Sequence, residues 1–155
     1  MNTIYPITVY YDASCRLCNG EMQNVKAHDV DNNLNLIDCS APEFDESEFS
    51  TMGITRQHMM NRMHIQDAKG NWHIGVAAFE VIYQTVGMDF VAKIWGSSIT
   101  RPLAERVYPW VVKHRYILSK IGLPELFGFL EKRAARKADR RSRLCSEDRC
   151  STERK

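Results

Sequence analysis

The chain has 155 residues, of which 44% are hydrophobic and 26% are charged. These proportions are typical of a soluble globular protein, and they exclude a collagen-like rod and a largely disordered chain. The length suits one domain with an ordinary core, and the formal net charge of +2 is too small to indicate a nucleic-acid-binding protein by itself.

The first part of the chain predicts a β-α-β unit. Residues 7–11 are β-branched and aromatic and predict a strand, residues 15 to about 28 favour a helix, and residues 34–38 predict a second strand. A helix between two strands favours parallel pairing through a right-handed crossover. Residues 40–57 are acidic and irregular, and we expect only short helical turns there.

The middle of the chain predicts a β-hairpin followed by a helix. The patterns of residues 63–66 and 71–74 predict two strands on either side of a turn. Residues 77–86 carry apolar side chains at helical spacing, and we expect a backbone role for Gly75 just before them. The order β-α-β-β-α predicts a sheet with a parallel half and a hairpin half.

The remaining elements are predicted to be helical. Residues 90–95 are short and apolar. Pro102 suits the first turn of a helix that continues to Tyr116, and Pro109 inside it predicts a kink or a break. Pro124 is expected to open a further helix.

The domain organisation follows from where the apolar periodicity ends. We expect residues 1–135 to form a single domain with a C-terminal helical extension, and residues 136–155 to be a basic, flexible tail. Residues 131–155 hold ten basic and five acidic side chains. No aromatic residue follows Phe129, which argues against base stacking, so nucleic acid is not an expected partner.

The N-terminal residues suggest a cytoplasmic location. Residues 1–11 contain no Lys or Arg, unlike the charged leading region of an export signal. No apolar run approaches the roughly 18 residues of a membrane span. In the cytoplasm a close pair of cysteines is more often catalytic or metal-binding than a permanent structural disulfide.

The most informative motif is a C-x-x-C pair formed by Cys15 and Cys18 between a predicted strand and a predicted helix. Free backbone N–H groups and the partial positive charge at a helix N-terminus stabilise a thiolate, and Arg16 adds a cation nearby. The spacing places the sulfurs one helical turn apart. We expect Cys15 to be the exposed, more acidic thiol that attacks a disulfide, and Cys18 to resolve the mixed disulfide.

Two other interpretations of the pair stay open. A structural zinc site would need four ligands, and Cys145 with Cys150 could join Cys15 and Cys18. A binding module could also keep the fold without turnover. The strand–turn–helix context favours redox chemistry over zinc and over an inert chance pair. A binding module would share that context and would differ only in failing to cycle between dithiol and disulfide.

Asp12 and His64 each have two interpretations, and three further residues have one. Asp12 could accept a proton during exchange, or it could cap the turn at the start of the helix, and its charge would raise the pKa of a nearby thiol. His64 could relay a proton, or be a hydrogen-bonded strand residue. Cys39 is predicted to be a small buried hydrophobe. Tyr108 and Tyr116 are predicted to be packing residues.

The pattern Asp12-x-x-Cys15-x-x-Cys18 resembles the DCC family of predicted thiol-disulfide oxidoreductases, which is named for that signature. The similarity covers roughly residues 6–122, and three further segments match the family in order: residues 63–70, 75–78, and the block 101–108 with 114–116. This resemblance implies a thioredoxin-like fold and a thiol-redox role.

Together these observations predict an α/β protein with a thioredoxin-like mixed sheet and additional C-terminal helices. Its expected activity is thiol-disulfide exchange without a bound cofactor or metal, with Cys15, Cys18 and Asp12 as the catalytic residues. The expected partners are a disulfide-containing protein or small-thiol substrate and an external thiol reductant, from a thioredoxin or a glutathione system.

Overall fold

The computed structural model describes residues 5–120 and contains a four-stranded mixed sheet. The order of its strands is β2-β1-β3-β4. The strands are β1 (Ile7–Tyr11), β2 (Leu34–Asp38), β3 (His64–Gln66) and β4 (Trp72–Ile74). β2 is parallel to β1, whereas β3 is antiparallel to both β1 and β4. The predicted parallel half and hairpin half are therefore confirmed.

Helices complete a thioredoxin-like α/β fold with C-terminal helices, as predicted. They are α1 (Arg16–Ala27), α2 (Arg56–Asn61), α3 (Val76–Thr85), α4 (Asp89–Gly96) and α5 (Arg101–Lys120), with a 3₁₀ helix at Ser47–Met52. No helix within residues 5–120 is long and apolar enough to cross a membrane. The helix predicted after Pro124, the basic tail, Cys145 and Cys150 lie outside the described residues.

The central strand β1 separates two apolar clusters because its side chains alternate between the faces of the sheet. Ile7, Val9 and Tyr11 face the main core, which includes Met22 and Val25 of α1. On the opposite face, a second cluster of buried residues consists of Tyr10, Cys39, Phe49 and Met59. Burial of both faces fixes the register of β1, and with it the position of the turn that follows the strand.

Helix α2 is an element that the sequence patterns did not predict. It has only six residues, too few to show a helical period, and it buries Met59. The sequence feature that could have indicated α2 is Thr55, an N-cap residue. Its side chain accepts a hydrogen bond from the backbone N–H of His58.

Helix α5 is continuous through Pro109, so the break, one of the two expected outcomes beside a kink, does not occur. A proline removes one hydrogen bond from the helix, but the turns on either side keep theirs. Contacts on both sides of Pro109 hold α5 against the rest of the fold. The hydroxyl of Tyr108 accepts a hydrogen bond from the N–H of Met63 at 2.8 Å, and Arg115 is buried.

Gly75 has the backbone role that its position predicts. It precedes α3 with φ 66° and ψ −126°, a conformation that costs little only for glycine. Its N–H donates to the carbonyl of Met63 at 2.8 Å, and a Cβ at this position would lie 3.5 Å from the Tyr108 ring. Gly75 therefore connects the hairpin to α3 beneath α5.

Replacing Gly75 by alanine should lower the free energy of unfolding by about 1–3 kcal/mol, because alanine would be strained at this φ and ψ. The matched control is Gly20→Ala in α1, where a Cβ meets nothing within 4 Å and helix propensity should raise stability by about 0.5–1 kcal/mol. Urea denaturation measures both variants. Equal effects of the two substitutions would contradict the assignment.

Candidate active site

The motif lies where β1 ends and α1 begins. Cys15 is the N-cap of α1, with extended backbone dihedrals of φ −82° and ψ 107°. Its Sγ accepts a hydrogen bond from the backbone N–H of Cys18 at 3.3 Å. The sulfur of Cys15 therefore takes the position that a Ser or Asp oxygen usually takes at a helix N-terminus.

The two motif sulfurs are in direct contact. Both cysteines are free thiols, and the Cys18 S–H donates to Cys15 Sγ with the sulfurs 2.7 Å apart. A disulfide requires about 2.05 Å. A small movement therefore suffices to join them.

The contact between the sulfurs shifts the pKa values of the two thiols in opposite directions. Hydrogen bonds from the Cys18 side chain and, less strongly, from its backbone N–H, together with the charge of Arg115, stabilise a thiolate on Cys15. Burial and the charge of Asp12 oppose them, and the pKa of Cys15 falls to about 7. The same hydrogen bond, followed by burial, raises the pKa of Cys18. Cys15 is therefore the thiolate of the pair, and Cys18 keeps its proton to donate.

The expected exposure of Cys15 is wrong. Cys15 is 0% exposed, whereas Cys18 is only partly buried. The turn before the helix is fixed against the end of β2, because the Ala13 N–H donates to the Asp38 carboxylate and the Ser14 N–H donates to the Ser40 hydroxyl. These long-range bonds were not visible in the local sequence pattern, which places Cys15 at an exposed helix tip.

Asp12 is the buried centre of the turn, with 2% of its surface exposed. One carboxylate oxygen accepts from the N–H and the hydroxyl of Ser14, at 3.0 and 2.5 Å. Asp12 therefore stabilises the turn before α1, as its structural interpretation predicted, while the N-cap of the helix is Cys15. The other oxygen accepts from Arg115 Nη2 at 2.9 Å and from the Tyr116 hydroxyl at 2.5 Å.

Arg115 and Tyr116 are site residues that sequence reasoning missed. Tyr116 was expected to pack, but its hydroxyl binds Asp12, and Arg115 forms a buried ion pair with the same carboxylate. Two signals were available: residues 114–116 lie in a segment that resembles the family, and Arg115 has an unusual position on its helix. Arg115 follows Val111 by four residues and Val112 by three, so a charged side chain falls on the apolar face of α5.

A cavity of about 600 Å³ lies beside the pair. Cys18, Asp12 and Arg115 line it, whereas Cys15 does not. Most of its wall is apolar. Methionines line it from α2 and the segment after it, aromatic rings from α3, α4 and α5, and valines from α4 and α5. These residues are Met59, Met60, Met63, Phe79, Tyr83, Trp95, Tyr108, Val91, Val111 and Val112. The cavity volume lies within the usual range for a small-molecule site, about 300–1,000 Å³.

His64 is the hydrogen-bonded strand residue of its two interpretations, and Cys39 is buried as predicted. His64 is buried on β3, with Nδ1 at 2.8 Å from the carbonyl oxygen of Arg62, and burial lowers its pKa. Cys39 packs against Met59 with its sulfur 3.8 Å from Sδ, and burial raises the pKa of Cys39 to about 12. Cys39 is therefore protonated at neutral pH.

A metal site has no support in the part of the chain that the structure describes. Within residues 5–120, no group of three or more His, Cys, Asp or Glu side chains could hold a metal ion. The zinc interpretation also needed Cys145 and Cys150, which fall outside that range.

Comparison with known proteins identifies the family of the chain. Residues 9–120 match the model of the DCC1-like thiol-disulfide oxidoreductases. The chain belongs to this family. An uncharacterised chloroplastic protein of Arabidopsis thaliana is 28% identical over 137 residues, which cover 88% of this chain and 61% of that protein. The chain thus spans about three fifths of the length of that relative, and no solved structure matches the chain.

The buried ion pair should dominate the effect of mutation at this DCC1-like site. Asp12→Asn leaves the Arg115 charge buried without its partner charge, so the free energy of unfolding should fall by about 3–5 kcal/mol. The exposed control Asp31→Asn should change it by less than about 0.5 kcal/mol.

A double-mutant cycle with Arg115→Met isolates the contact. Because each single variant leaves one charge without its counterpart, Asp12→Asn combined with Arg115→Met should cost clearly less than the sum of the single effects. Additive losses in urea denaturation would mean that the two side chains do not form an energetic unit.

Proposed function

We propose that this chain catalyses thiol-disulfide exchange through Cys15 and Cys18, with Asp12 as the third residue of the site. The observation that carries the proposal is the pair of free sulfurs 2.7 Å apart at the start of α1, one of them with a pKa of about 7. Membership of an oxidoreductase family supports the same class of activity.

The different surroundings of the two sulfurs suggest a division of roles. In thiol-disulfide exchange the sulfur with the lower pKa is the better leaving group, and attack needs access to the other sulfur. Cys15 is fully buried and has the lower pKa, whereas Cys18 reaches the cavity. We therefore assign exchange with the substrate to Cys18 and the leaving thiolate to Cys15, the reverse of the order expected from an exposed Cys15.

Asp12 acts in this scheme as a positioning residue. Its carboxylate holds the turn through Ser14 and fixes α5 through Arg115. Its negative charge raises the pKa of Cys15, and the charge of Arg115 lowers it. At Cys15 the two charges therefore oppose each other, and the effect of Arg115 is the larger.

The partners and location proposed for the protein follow from the same chemistry. Its substrate carries a disulfide or a thiol, and an external thiol reductant, from a thioredoxin or glutathione system, would restore the dithiol. A reducing compartment such as the cytoplasm suits free thiols. The chloroplastic location belongs to the Arabidopsis relative.

Redox titration tests the proposal. The full chain carrying Cys145→Ser and Cys150→Ser should equilibrate in dithiothreitol and glutathione buffers between a dithiol and a Cys15–Cys18 disulfide. Alkylation followed by mass spectrometry should find two thiols protected in the oxidised form.

The matched control is Cys39→Ala, which removes a buried cysteine outside the pair and should cycle like its parent. Cys15→Ser and Cys18→Ser should each abolish the transition. A pair that never cycles with any donor would favour a binding module. One tightly held zinc ion per reduced full-length chain would favour the structural metal protein.

A further inference from the structure

The cavity restricts which molecules can reach the pair, because it adjoins one of the two sulfurs. Cys18 lines the cavity, and the fully buried Cys15 does not. Exchange at Cys18 from this side requires the substrate sulfur to enter the cavity. A volume of about 600 Å³ accommodates a small molecule and excludes a folded protein domain.

The charges around the cavity favour a neutral occupant. Four charged side chains line it, two acidic and two basic: Asp12, Glu21, Arg62 and Arg115. Asp12 and Arg115 neutralise each other at 2.9 Å, and Glu21 accepts a hydrogen bond from the Tyr83 hydroxyl. A charged substrate would therefore lose its hydration without meeting a net opposite charge.

The wall favours an apolar occupant. Methionine thioethers and aromatic rings, among them Met59, Met63, Phe79 and Trp95, form much of the surface. Unbranched methionine side chains adapt to ligands of different shape. Burial of a hydrocarbon chain against such a wall is favourable in proportion to the area removed from water.

We propose that the substrate is a small, uncharged, apolar thiol or its disulfide, which enters the cavity and exchanges at Cys18. This inference rests on the proposed function and adds its substrate class. A peptide such as glutathione, with its charged groups, fits the cavity less well than a neutral alkyl or aryl thiol does.

In a single turnover the substrate thiols supply both electrons that reduce the enzyme disulfide, so no further oxidant or reductant is needed. A substrate thiolate attacks Sγ of Cys18 in the enzyme disulfide, the bond between the two enzyme sulfurs breaks, and its electron pair leaves on Cys15. A second substrate thiolate attacks the substrate sulfur of the mixed disulfide, which releases the substrate disulfide. Cys18 then takes up one proton. Two thiolates are oxidised to one disulfide and the enzyme disulfide is reduced. In the reverse direction Cys18 first passes its proton to Cys15 across their contact and then attacks the substrate disulfide as a thiolate.

The test compares neutral and charged thiols as single-turnover reductants of the oxidised protein carrying Cys145→Ser and Cys150→Ser. Ethanethiol, butanethiol and hexanethiol are the neutral series, and mercaptoethanesulfonate is the charged probe. Acid quench and mass spectrometry give the rates, corrected for the thiolate fraction of each probe. Butanethiol should react about tenfold faster than the charged probe, as burial of about two methylene groups predicts, and the rate should rise along the series.

Two variants of α5 form a matched pair for the same measurement. Val111 lines the cavity, whereas Val107 does not and is 44% exposed. Val111→Trp should reduce the ratio of butanethiol to charged-probe rates to about one, because indole fills the space that the alkyl chain would occupy, whereas Val107→Trp should preserve the ratio. The chain-length series decides the question if Val111→Trp does not fold.

The outcomes separate this inference from the proposed function. Equal rates for charged and neutral thiols, without dependence on chain length, would overturn the substrate class while the pair still functions in exchange. Failure of every thiol to reduce the pair would overturn the proposed function itself. Peptide mapping adds a further check, since butyl methanethiosulfonate should label Cys18 in the Cys15→Ser variant. Equal labelling of Cys18 there by butyl methanethiosulfonate and by its charged sulfonatoethyl analogue would contradict apolar entry through the cavity.

Discussion

The buried ion pair between Asp12 and Arg115 is the contact on which the site depends. It joins the turn after β1 to α5 across 103 positions of the chain, with a distance of 2.9 Å between Arg115 Nη2 and the carboxylate. A carboxylate and a guanidinium taken out of water each carry a large desolvation cost, which is offset only when both remain paired. The turn, the start of α1 and the last turns of α5 are therefore fixed as one unit.

The same arrangement explains how a fully buried cysteine can still ionise. Burial alone raises the pKa of a thiol. At Cys15 the hydrogen bonds from Cys18 and the charge of Arg115 outweigh burial and the charge of Asp12, and the pKa falls to about 7. Cys18 provides the proton that stabilises its neighbour, so the two sulfurs titrate as a coupled pair. Their order of acidity follows from which sulfur accepts the hydrogen bond.

Local patterns predicted the features whose causes are local. The strand at residues 7–11, the crossover helix and the hairpin each showed their period or turn chemistry, and Cys15 at a helix start followed from its place after β1. The burial of Cys15 and the role of Arg115 could not be predicted in this way. Both result from packing between segments far apart in sequence. An arginine among apolar residues of a helix indicates a buried charge, but its position does not predict which acidic residue pairs with it.

The acidity of Cys15 can be measured by pH titration of the reduced pair, followed by the ultraviolet absorbance of the thiolate. The tail cysteines are replaced by serine, and Cys39, with its pKa raised to about 12, does not ionise in the range of interest. One thiolate should form with a midpoint of about 7, and it should be absent from the Cys15→Ser variant. A midpoint of about 8.5, the value of an ordinary thiol, or a low midpoint that persists without Cys15, would contradict this prediction.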